Sequence, residues 1–301
     1  MSPGPRRTDM TERIALIGFG EVGRLFARQW IRQGVAVTVY DRLFDDPARG
    51  EALQADAAAL GATVATDHAG ACRGQPLVIS AVTADQAVTA ARQCAPALAP
   101  GQTYVDLNSV SPSTKAEVAA VLDPSGVDFV EWAVMAPVAE PGIAVPILAG
   151  GPRAGEWADR LNPLGMRIDA VADRIGVASA TKLCRSIVIK GMEALMVDLA
   201  AAGAEHGVLP AVLASLTASY PGMDWAQILQ IMPTRVARHG VRRAAEMREV
   251  AVMMREAGLS GALAEAIAVR HESFAAAARA AEAATPSAPL SPSERSPAHV
   301  A

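Results

Sequence analysis

Three glycines near the N-terminus have the spacing of a phosphate-binding turn. Gly18, Gly20 and Gly23 form a GxGxxG pattern between a β-rich run, IALI, and a helical run, GRLFARQW. The first glycine permits a tight turn, the second lets a pyrophosphate approach the backbone, and the third permits close packing of helix on strand. The helix that follows would offer unpaired N–H groups to phosphate oxygens. The pattern therefore predicts a dinucleotide site.

An acidic residue at the end of the next β-rich run bears on which dinucleotide binds. Asp41 follows VAVTVY close to the expected spacing of about 20 residues from the glycines, and its carboxylate suits the ribose hydroxyls of NAD. Arg42 beside it would instead grip the 2′-phosphate of NADP, or only solvate a loop with Asp45 and Asp46. NAD is favoured and NADP stays open.

A further segment, SAVT at 80–83, should lie against the nicotinamide ribose. The residues predicted to bind the cofactor are Gly18, Phe19, Gly20, Glu21, Val22, Gly23, Asp41, Arg42, Ala81, Val82 and Thr83.

The elements that must position this site alternate between β-rich runs and Ala-rich helical stretches, which is typical of a parallel sheet with helices on both faces. Strand candidates end with VDFVEWAV and AVPILAGG, and the chain after Gly176 reads as helix almost throughout. The fold class is therefore α/β, a Rossmann-like doubly wound sheet followed by an all-α C-terminal domain. The expected organisation is a disordered tail at 1–12, a dinucleotide-binding domain at 13–175, an all-helical domain at 176–283 and a disordered tail at 284–301.

Composition excludes several classes of protein. The 301 residues carry a net charge of −4 with both signs interspersed, which gives no electrostatic footprint for nucleic acid or anionic membrane. No apolar run reaches the roughly 18 residues of a membrane span, and no export signal is evident. The cysteines, Cys72, Cys94 and Cys184, form no disulfide or metal pattern. We therefore expect a soluble, cytoplasmic protein with no metal, nucleic acid or membrane partner.

Several segments resemble the β-hydroxyacid dehydrogenase superfamily, which includes 3-hydroxyisobutyrate dehydrogenase and 6-phosphogluconate dehydrogenase. The resemblance covers residues 15–270 and is carried, beyond the glycine motif, by DLNSVSPST at 106–114, FVEWAVMAPVAEPGIAVPILAGG at 129–151, GVASATKLCRS at 176–186 and HGVRRAAEMREVAVMMREAG at 239–258. The last of these resembles a branch with a DUF1932-type C-terminal domain. The resemblance implies a homodimer that forms through the helical domains.

The resemblance also implies a catalytic residue and a substrate loop. Lys182, in GVASATK, matches the lysine that acts as general acid/base, which requires a neutral amine and hence a buried setting. The alternative is a lysine that snorkels from an apolar helix. Asn108 and Ser109 match the DxSxxxP segment that contacts the substrate. Independently, Ser111 is a plausible N-cap with Pro112 at the first helical position, so this loop leads into a helix N-terminus that suits a carboxylate.

Two departures from the superfamily pattern concern the substrate. Ser186 stands one helical turn after the lysine, where asparagine is usual, and it can still bond a substrate hydroxyl with a shorter reach. Met135 stands where a substrate-contacting serine is usual, and Ala136 and Pro137 replace a glycine pair. We expect Trp132 and Met135 to line an apolar pocket, and therefore a bulkier substrate than a three- or four-carbon hydroxy acid.

A basic cluster in the second half has helical spacing and is followed by acidic residues; its members are Arg238, His239, Arg242 and Arg243, then Glu246 and Glu249. Such a cluster would hold a substrate carboxylate or phosphate, or else form a solvated helix face with internal Arg–Glu pairs. A small, anionic substrate is therefore expected. The residues predicted to bind it are Asn108, Ser109, Met135, Ser186, His239 and Arg242.

These observations predict an NAD(P)-dependent oxidoreductase that acts on CH–OH groups and moves hydride between nicotinamide and a hydroxy acid or a related alcohol or carbonyl compound. No GxSxG, HExxH or P-loop pattern supports a hydrolase or a kinase. One alternative is an imine reductase, against which Lys182 argues because those enzymes typically carry Asp or Tyr at that position. The other is a non-catalytic cofactor-binding interaction module, against which the lysine and the loop at 106–112 argue together.

Overall fold

The protein is described by a computed structural model, which covers residues 12–284. Within that range the chain forms two compact units. The sheet unit holds the chain up to Ile189 together with Ala245–Glu265, and the helical unit holds Lys190–Ala244 together with the chain from Ala266. The two tails predicted to be disordered, 1–12 and 284–301, lie almost entirely outside the described residues.

The sheet unit is built on eight strands in the order β3-β2-β1-β4-β5-β6-β7-β8. The strands are β1 (Arg13–Ile17), β2 (Ala36–Tyr40), β3 (Thr63–Val64), β4 (Leu77–Ser80), β5 (Thr103–Asp106), β6 (Asp128–Val134), β7 (Pro146–Gly150) and β8 (Arg167–Ala172). The helices between them are α1 (Glu21–Arg32), α2 (Gly50–Ala59), α3 (His68–Cys72), α4 (Ala87–Cys94), α5 (Pro112–Leu122) and α6 (Ala154–Leu161). The order reverses at β1, whose neighbours are β2 and β4, and this reversal creates the crevice in which α/β sheets bind ligands.

Burial explains why the central strands read as continuous apolar runs. All four residues of β4 and all four of β5 are buried, as expected for strands with helices on both faces. Helix α1 packs Phe26 and Trp30, both fully buried, into the same core. The fold class predicted from the sequence, a Rossmann-like doubly wound sheet followed by a helical region, is confirmed.

Two details of the predicted sheet are wrong. The sheet is parallel only through β6, because β7 pairs antiparallel to β6. The strands do not stop at AVPILAGG, because β8 pairs parallel to β7 at the sheet edge. Only Ile168 of β8 is buried, so this edge strand lacks the apolar run that marks the central strands.

The remaining helices are α7 (Val177–Glu205), α8 (Leu209–Ser219), α9 (Trp225–Glu256) and α10 (Ala262–Ala284), and all of them except α8 are long. Within the helical unit, a Cβ at Gly240 of α9 would lie 2.4 Å from the carbonyl oxygen of His271 on α10, so glycine permits this close approach. The predicted boundary at 175/176 precedes α7, whereas the compact units divide α7 after Ile189 and return 245–265 to the sheet unit. No helix within residues 12–284 has the length and apolar character needed to cross a bilayer.

Candidate active site

The glycine turn lies between the ends of β1 and β4, where two of its glycines are required by close packing. Gly18 has φ +104°, and a Cβ there would lie 2.4 Å from the carbonyl oxygen of Ala81. A Cβ at Gly23 would lie 2.0 Å from the carbonyl oxygen of Gly18. Both values are far below ordinary van der Waals contact, so neither position accepts a side chain without a backbone shift.

Gly20 differs from its two neighbours because a Cβ there would meet no protein atom within 4 Å. It is exposed and precedes Glu21, the first residue of α1. A helix N-terminus next to an open glycine offers backbone N–H groups and the room that a pyrophosphate needs. The residues present therefore fit a dinucleotide.

Asp41 fastens the glycine turn to the end of β2. One of its carboxylate oxygens accepts the N–H of Phe19 at 2.7 Å, and the other accepts the N–H of Leu43 at 2.8 Å. Phe19 turns its ring into the core, 6.0 Å from the ring of Phe44, so it presents backbone and no side chain at the turn. Arg42 is exposed. The spacing between the glycines and Asp41 does not by itself predict that Asp41 also holds the glycine turn in place.

The other predicted cofactor residues lie where the sequence places them. Val22 is in the first turn of α1, and Ala81, Val82 and Thr83 follow β4 directly. Ala81 donates its N–H to the carbonyl oxygen of Ile17 at 2.7 Å, which joins the ends of β1 and β4. Cofactor contact by each of these residues stays a prediction.

A buried ion pair holds the substrate loop that follows β5. Lys115, on α5, donates to a carboxylate oxygen of Asp106, and both side chains have 0% exposure. The same ammonium donates to the carbonyl oxygens of Asp106 at 2.8 Å and of Asn108 at 2.9 Å. Lys115 thus fixes the backbone at 106–108. Sequence reasoning missed it, since a lysine inside a helix looks like a surface residue.

Asn108, a residue of this loop, is buried with 4% exposure. Its amide nitrogen donates to Ser80 Oγ at 3.1 Å and to Asp106 Oδ2 at 2.5 Å. Its carbonyl oxygen, Oδ1, accepts no hydrogen bond from any residue within 12–284. The donors of Asn108 therefore serve the fold, and only its acceptor is left for a ligand.

Lys182 and Ser109, predicted separately as catalytic and substrate-binding residues, are in direct contact: Lys182 Nζ donates to Ser109 Oγ. Both side chains are partly buried. The contact joins α7 to the loop after β5 across 73 residues of sequence. A polar pair of this kind, at the carboxyl end of the sheet, is suited to hold and deprotonate a hydroxyl group.

The start of α7 is fixed by a carboxylate from the sheet. Glu131 of β6 has 0% exposure and accepts the N–H groups of Gly176 at 2.7 Å, Ala178 at 3.0 Å and Ser179 at 3.4 Å. These donors would otherwise be unsatisfied at the helix N-terminus, which also favours negative charge. Glu131 therefore positions the turn that precedes Lys182.

Two glutamates of α9 reach the same loop and the same stretch of α7. Glu246 accepts the hydroxyl of Ser186, and Glu249 Oε2 accepts the N–H of Ser111 at 2.7 Å. Burial raises the pKa of Glu249 above its ordinary value, and the bond from Ser111 opposes that change. Neither glutamate is among the residues predicted from the sequence to bind the substrate. Their spacing of three on one helix was the available signal.

Two protein-family models match separate parts of the chain. The model of the NAD binding domain of 6-phosphogluconate dehydrogenase matches residues 13–161, and that of a domain of unknown function, DUF1932, matches residues 204–274. A conserved hypothetical protein from Sinorhizobium meliloti 1021 is 38% identical, with 89% of this chain and 90% of that chain covered and a TM-score of 0.75. The conserved protein MTH1747 is 29% identical over 89% of this chain and 98% of that one, with a TM-score of 0.71, and is described as structurally similar to 3-hydroxyacid dehydrogenases. The chain belongs to the β-hydroxyacid dehydrogenase superfamily, in the branch with a DUF1932 domain.

The superfamily fold extends to enzymes of known activity. The 3-hydroxyisobutyrate dehydrogenase of Mycobacterium tuberculosis is 19% identical, with 89% of this chain and 94% of that chain covered and a TM-score of 0.71. At this identity the likeness concerns the fold alone. The chain is thus an NAD(P)-binding member of a dehydrogenase superfamily whose substrate its own residues must indicate.

The prediction that Trp132 lines an apolar substrate pocket is wrong. Trp132 does not line a pocket, because it has 0% exposure and belongs to the core of the sheet unit, on the strand face opposite Glu131. Met135 is partly exposed, and its carbonyl oxygen accepts Arg185 Nη1 at 3.4 Å. Alternation along β6 explains the difference, since neighbouring residues of a strand face opposite ways.

His239 and Arg242 lie on exposed positions of α9 within the helical unit. Arg243, beside them, pairs with Glu193 at 2.8 Å, and the side chain of Glu193 has 0% exposure. This largely buried pair joins α9 to α7, so it differs from the internal Arg–Glu pairs of a solvated helix face that the alternative interpretation predicts. Substrate binding by His239 and Arg242 stays a prediction.

Proposed function

We propose that the protein is an NAD(P)-dependent oxidoreductase that moves hydride between nicotinamide and the hydroxyl-bearing carbon of a small hydroxy acid or related alcohol. The contact between Lys182 and Ser109 carries this proposal. It joins the residue expected to move the proton to the residue expected to hold the reacting group. Both belong to the sheet unit that carries the glycine turn.

The chemistry of the cofactor and that of the chain are complementary. Bound nicotinamide supplies or accepts the hydride. In the oxidative direction Lys182 Nζ, as a neutral amine, takes the proton of the substrate hydroxyl while hydride leaves the same carbon. In the reductive direction the ammonium returns that proton to the carbonyl oxygen. Ser109, within hydrogen-bond reach of Nζ, orients the oxygen between them.

The supporting residues hold this pair in place before substrate binds. Lys115 and Asp106 fix the loop that carries Ser109, and Glu131 fixes the first turn of α7. A catalytic group needs such support because small displacements from the productive geometry cost rate. Each of the two contacting residues thus rests on a separate buried carboxylate of the sheet.

Cofactor choice is part of the proposal. The open position of Gly20 and the N-terminus of α1 would hold the pyrophosphate, and Asp41 stands at the ribose end. The carboxylate of Asp41 favours NAD, whereas the exposed Arg42 suits the 2′-phosphate of NADP. We retain NAD as the favoured nucleotide. Titration with both reduced nucleotides decides between them.

The decisive experiment compares Lys182→Ala with a matched neighbour. Thr181→Ala is the control, because Thr181 is exposed on the same turn and its hydroxyl donates to the carbonyl oxygen of Val177 in the same helix. We expect Lys182→Ala to bind nucleotide as wild type does, by fluorescence titration. Its turnover across a panel of hydroxy acids and alcohols should fall by about 10²- to 10⁴-fold, while Thr181→Ala keeps wild-type turnover.

Other outcomes separate the alternatives. Wild-type turnover by Lys182→Ala would refute the role of the lysine. Nucleotide binding without turnover of any alcohol or carbonyl compound would favour a non-catalytic binding module. Reduction of preformed imines, without oxidation of alcohols, would favour an imine reductase.

A further inference from the structure

The edge of the sheet beside the end of β2 carries more negative charge than ribose recognition requires, since one acidic residue suffices to bind the ribose hydroxyls. Resting on the proposed function, we propose that Asp45 and Asp67 act with Asp41 to repel the 2′-phosphate of NADP. In this proposal Asp45 and Asp67 are specificity-determining residues for NAD. Neither is among the residues predicted from the sequence to bind the cofactor.

The topology of the sheet brings these three aspartates to one edge. β3 pairs parallel to β2, so the carboxyl ends of the two strands lie side by side. Asp41 follows β2 directly, and Asp45 ends the short 3₁₀ turn that comes next. Asp67 is the third residue after β3. All three therefore lie at the edge where the adenosine ribose of a bound dinucleotide is expected.

Tyr40, the last residue of β2, shows how closely the aspartates converge. Its hydroxyl donates to Asp45 Oδ2 at 2.8 Å. Its ring centroid lies 4.6 Å from that of His68, which follows Asp67. Burial raises the pKa of Tyr40 to about 12, and the hydrogen bond to Asp45 and the negative charges of all three aspartates contribute to the same change. The three carboxylates are therefore close enough to act on a single phenol.

Two arginines near this edge form ion pairs with other carboxylates. Arg24, whose guanidinium carbon lies 5.1 Å from the ring centroid of Phe19, pairs with Asp56 at 2.9 Å. Arg49 pairs with Asp46 at 2.9 Å. Each of these positive charges is therefore balanced by a carboxylate outside the proposed group of three.

Arg42 and His68 contribute little positive charge to offset the aspartates. Hydrogen bonds from Thr83 and Gln86 lower the pKa of Asp85, and the charge of Arg42 contributes to the same change, so Arg42 has an acidic neighbour after β4. Burial lowers the pKa of His68 below its ordinary 6.5, so its ring is neutral near pH 7. With the arginines balanced in this way, the three aspartates of the proposal remain as net negative charge.

This charge separates the two nucleotides because they differ by one phosphate. A phosphate monoester carries about 1.5 to 2 negative charges near pH 7, whereas the 2′-hydroxyl of NAD carries none. Repulsion of the competitor is a common source of specificity. Asp45 and Asp67 are exposed, so their repulsion acts through solvent and weakens as salt is added. A dependence of the nucleotide preference on salt is therefore a direct sign of this mechanism.

Titration of wild type with NADH and NADPH, followed by cofactor fluorescence, tests the proposal without any substrate. We expect NADH to bind about 10- to 100-fold more tightly than NADPH at low salt. The ratio of the two Kd values should shrink between about 0.01 M and about 1 M salt, where the screening length falls from about 30 Å to about 3 Å. The pyrophosphate is common to both nucleotides, so its own salt dependence cancels in the ratio.

Asp45→Asn and Asp67→Asn are the test variants, because each removes a charge and keeps a hydrogen-bond acceptor. Asparagine still accepts the hydroxyl of Tyr40 in the first and still caps α3 through the N–H of Gly70 in the second. Both should keep the thermal midpoint of wild type. We expect each to bind NADPH about 3- to 10-fold more tightly than wild type, with NADH binding unchanged.

Asp159→Asn is the matched control, since Asp159 is exposed on α6, between β7 and β8 at the other end of the sheet, and its loss changes the net charge equally. It should keep the wild-type preference for NADH.

Four outcomes would each overturn the inference. They are binding of NADPH as tight as that of NADH by wild type, a ratio that salt does not alter, an unchanged ratio in both test variants, and an equal change in the ratio for Asp159→Asn. None of these would affect the comparison of Lys182→Ala with Thr181→Ala, which measures turnover with either nucleotide. Conversely, a preference for NADH that is reduced in Asp45→Asn and Asp67→Asn, without oxidation of any alcohol by wild type, would support this inference and refute the dehydrogenase.

Discussion

Lys115 shows how a single charged side chain can hold a functional loop from beneath. Its ammonium is wholly buried, and each of its three described contacts is to the segment 106–108. Removing one member of a buried pair leaves the other charge without compensation, which costs more than the pair itself contributes. The two members must therefore be replaced together or kept together.

We predict that Lys115→Met lowers the free energy of unfolding by about 3–5 kcal/mol, because Asp106 is left as an uncompensated buried charge. Urea denaturation measures this change. The exposed pair of Arg92 and Glu117 is the control, and Arg92→Met should cost at most about 1 kcal/mol. The double variant Asp106→Asn, Lys115→Met should recover part of the loss. A cost below about 1 kcal/mol for Lys115→Met would show that the pair is not structural.

The residues of the site differ in how readily the sequence predicts them. Lys182 and Ser109 were predicted because each lies in a segment that resembles a known pattern. Lys115, Glu246 and Glu249 were not, because their meaning depends on partners elsewhere in the fold. Glu249 meets Ser111 across 138 residues, and no local periodicity encodes such a pairing.

Strands, helices and turns can be predicted from the sequence more directly than single side-chain contacts can. The turn from β1 to α1 was predicted with the role of each glycine, and the structure separates two kinds of requirement. Gly18 and Gly23 are needed by the fold, since a Cβ at either would strike backbone. Gly20 is open, so its requirement comes from the ligand.

This separation predicts opposite results for two alanine variants. Gly23→Ala should lower the thermal midpoint of the nucleotide-free protein, because its Cβ must push back the carbonyl of Gly18. The expected loss in free energy of unfolding is about 1–3 kcal/mol, which corresponds to a fall of several degrees. Gly20→Ala should keep the midpoint but lose the upward shift that saturating nucleotide gives, about 2.7 kcal/mol at a hundredfold excess over Kd. Thermal unfolding with and without NADH or NADPH measures both. Equal behaviour of the two variants would contradict the assignment.

The edge of the sheet was harder to predict than its centre. β4 and β5 are buried on both faces and form apolar runs, whereas β8 has one buried residue. β7 pairs antiparallel to β6 because the chain reverses direction between the two strands, and an apolar pattern alone does not give the direction of a strand. Sequence patterns therefore find strands in proportion to their burial.

At the scale of the whole molecule, a buried histidine in the helical unit makes stability depend on pH in the acid range. His271 has 0% exposure, and neither ring nitrogen makes a hydrogen bond within the described residues. Burial, and then the positive charges of Arg243 and Lys190, lower its pKa to about 4. The 3.9 Å approach of Nε2 to Glu193 is therefore not an ion pair near neutral pH.

The sign of the pH effect follows from that lowered pKa. The unfolded chain binds a proton at His271 near its ordinary pKa of 6.5, whereas the folded chain binds one only near 4. The contribution of His271 to the free energy of unfolding is therefore fully present above about pH 6.5. It falls as the pH drops toward 4, by at most about 1.4 kcal/mol per pH unit.

We predict that His271→Leu flattens this acid dependence, because leucine carries no group that binds a proton. Urea unfolding from pH 7 to pH 4.5 measures the dependence. His206→Leu, at an exposed position, should keep the wild-type slope. An unchanged slope in His271→Leu would mean that other groups control acid unfolding.

Whole-molecule properties were the least accessible to sequence reasoning. The end of the βα rhythm predicts two domains that meet at 175/176, and that division stays a prediction. The interleaving of the two compact units is not predicted, because α7 and α9 each continue as a helix through the point where the units divide. The homodimer and the cytoplasmic location stay predictions.

The return of residues 245–265 to the sheet unit has a consequence for biosynthesis. A ribosome releases the chain from its N-terminus, so the glycine turn, the substrate loop and Lys182 emerge well before Glu246 and Glu249. The sheet unit therefore lacks its last segment until most of the helical unit has been made. A nascent chain arrested after β8 would carry all eight strands and still lack Glu246 and Glu249, the acceptors for Ser186 and Ser111.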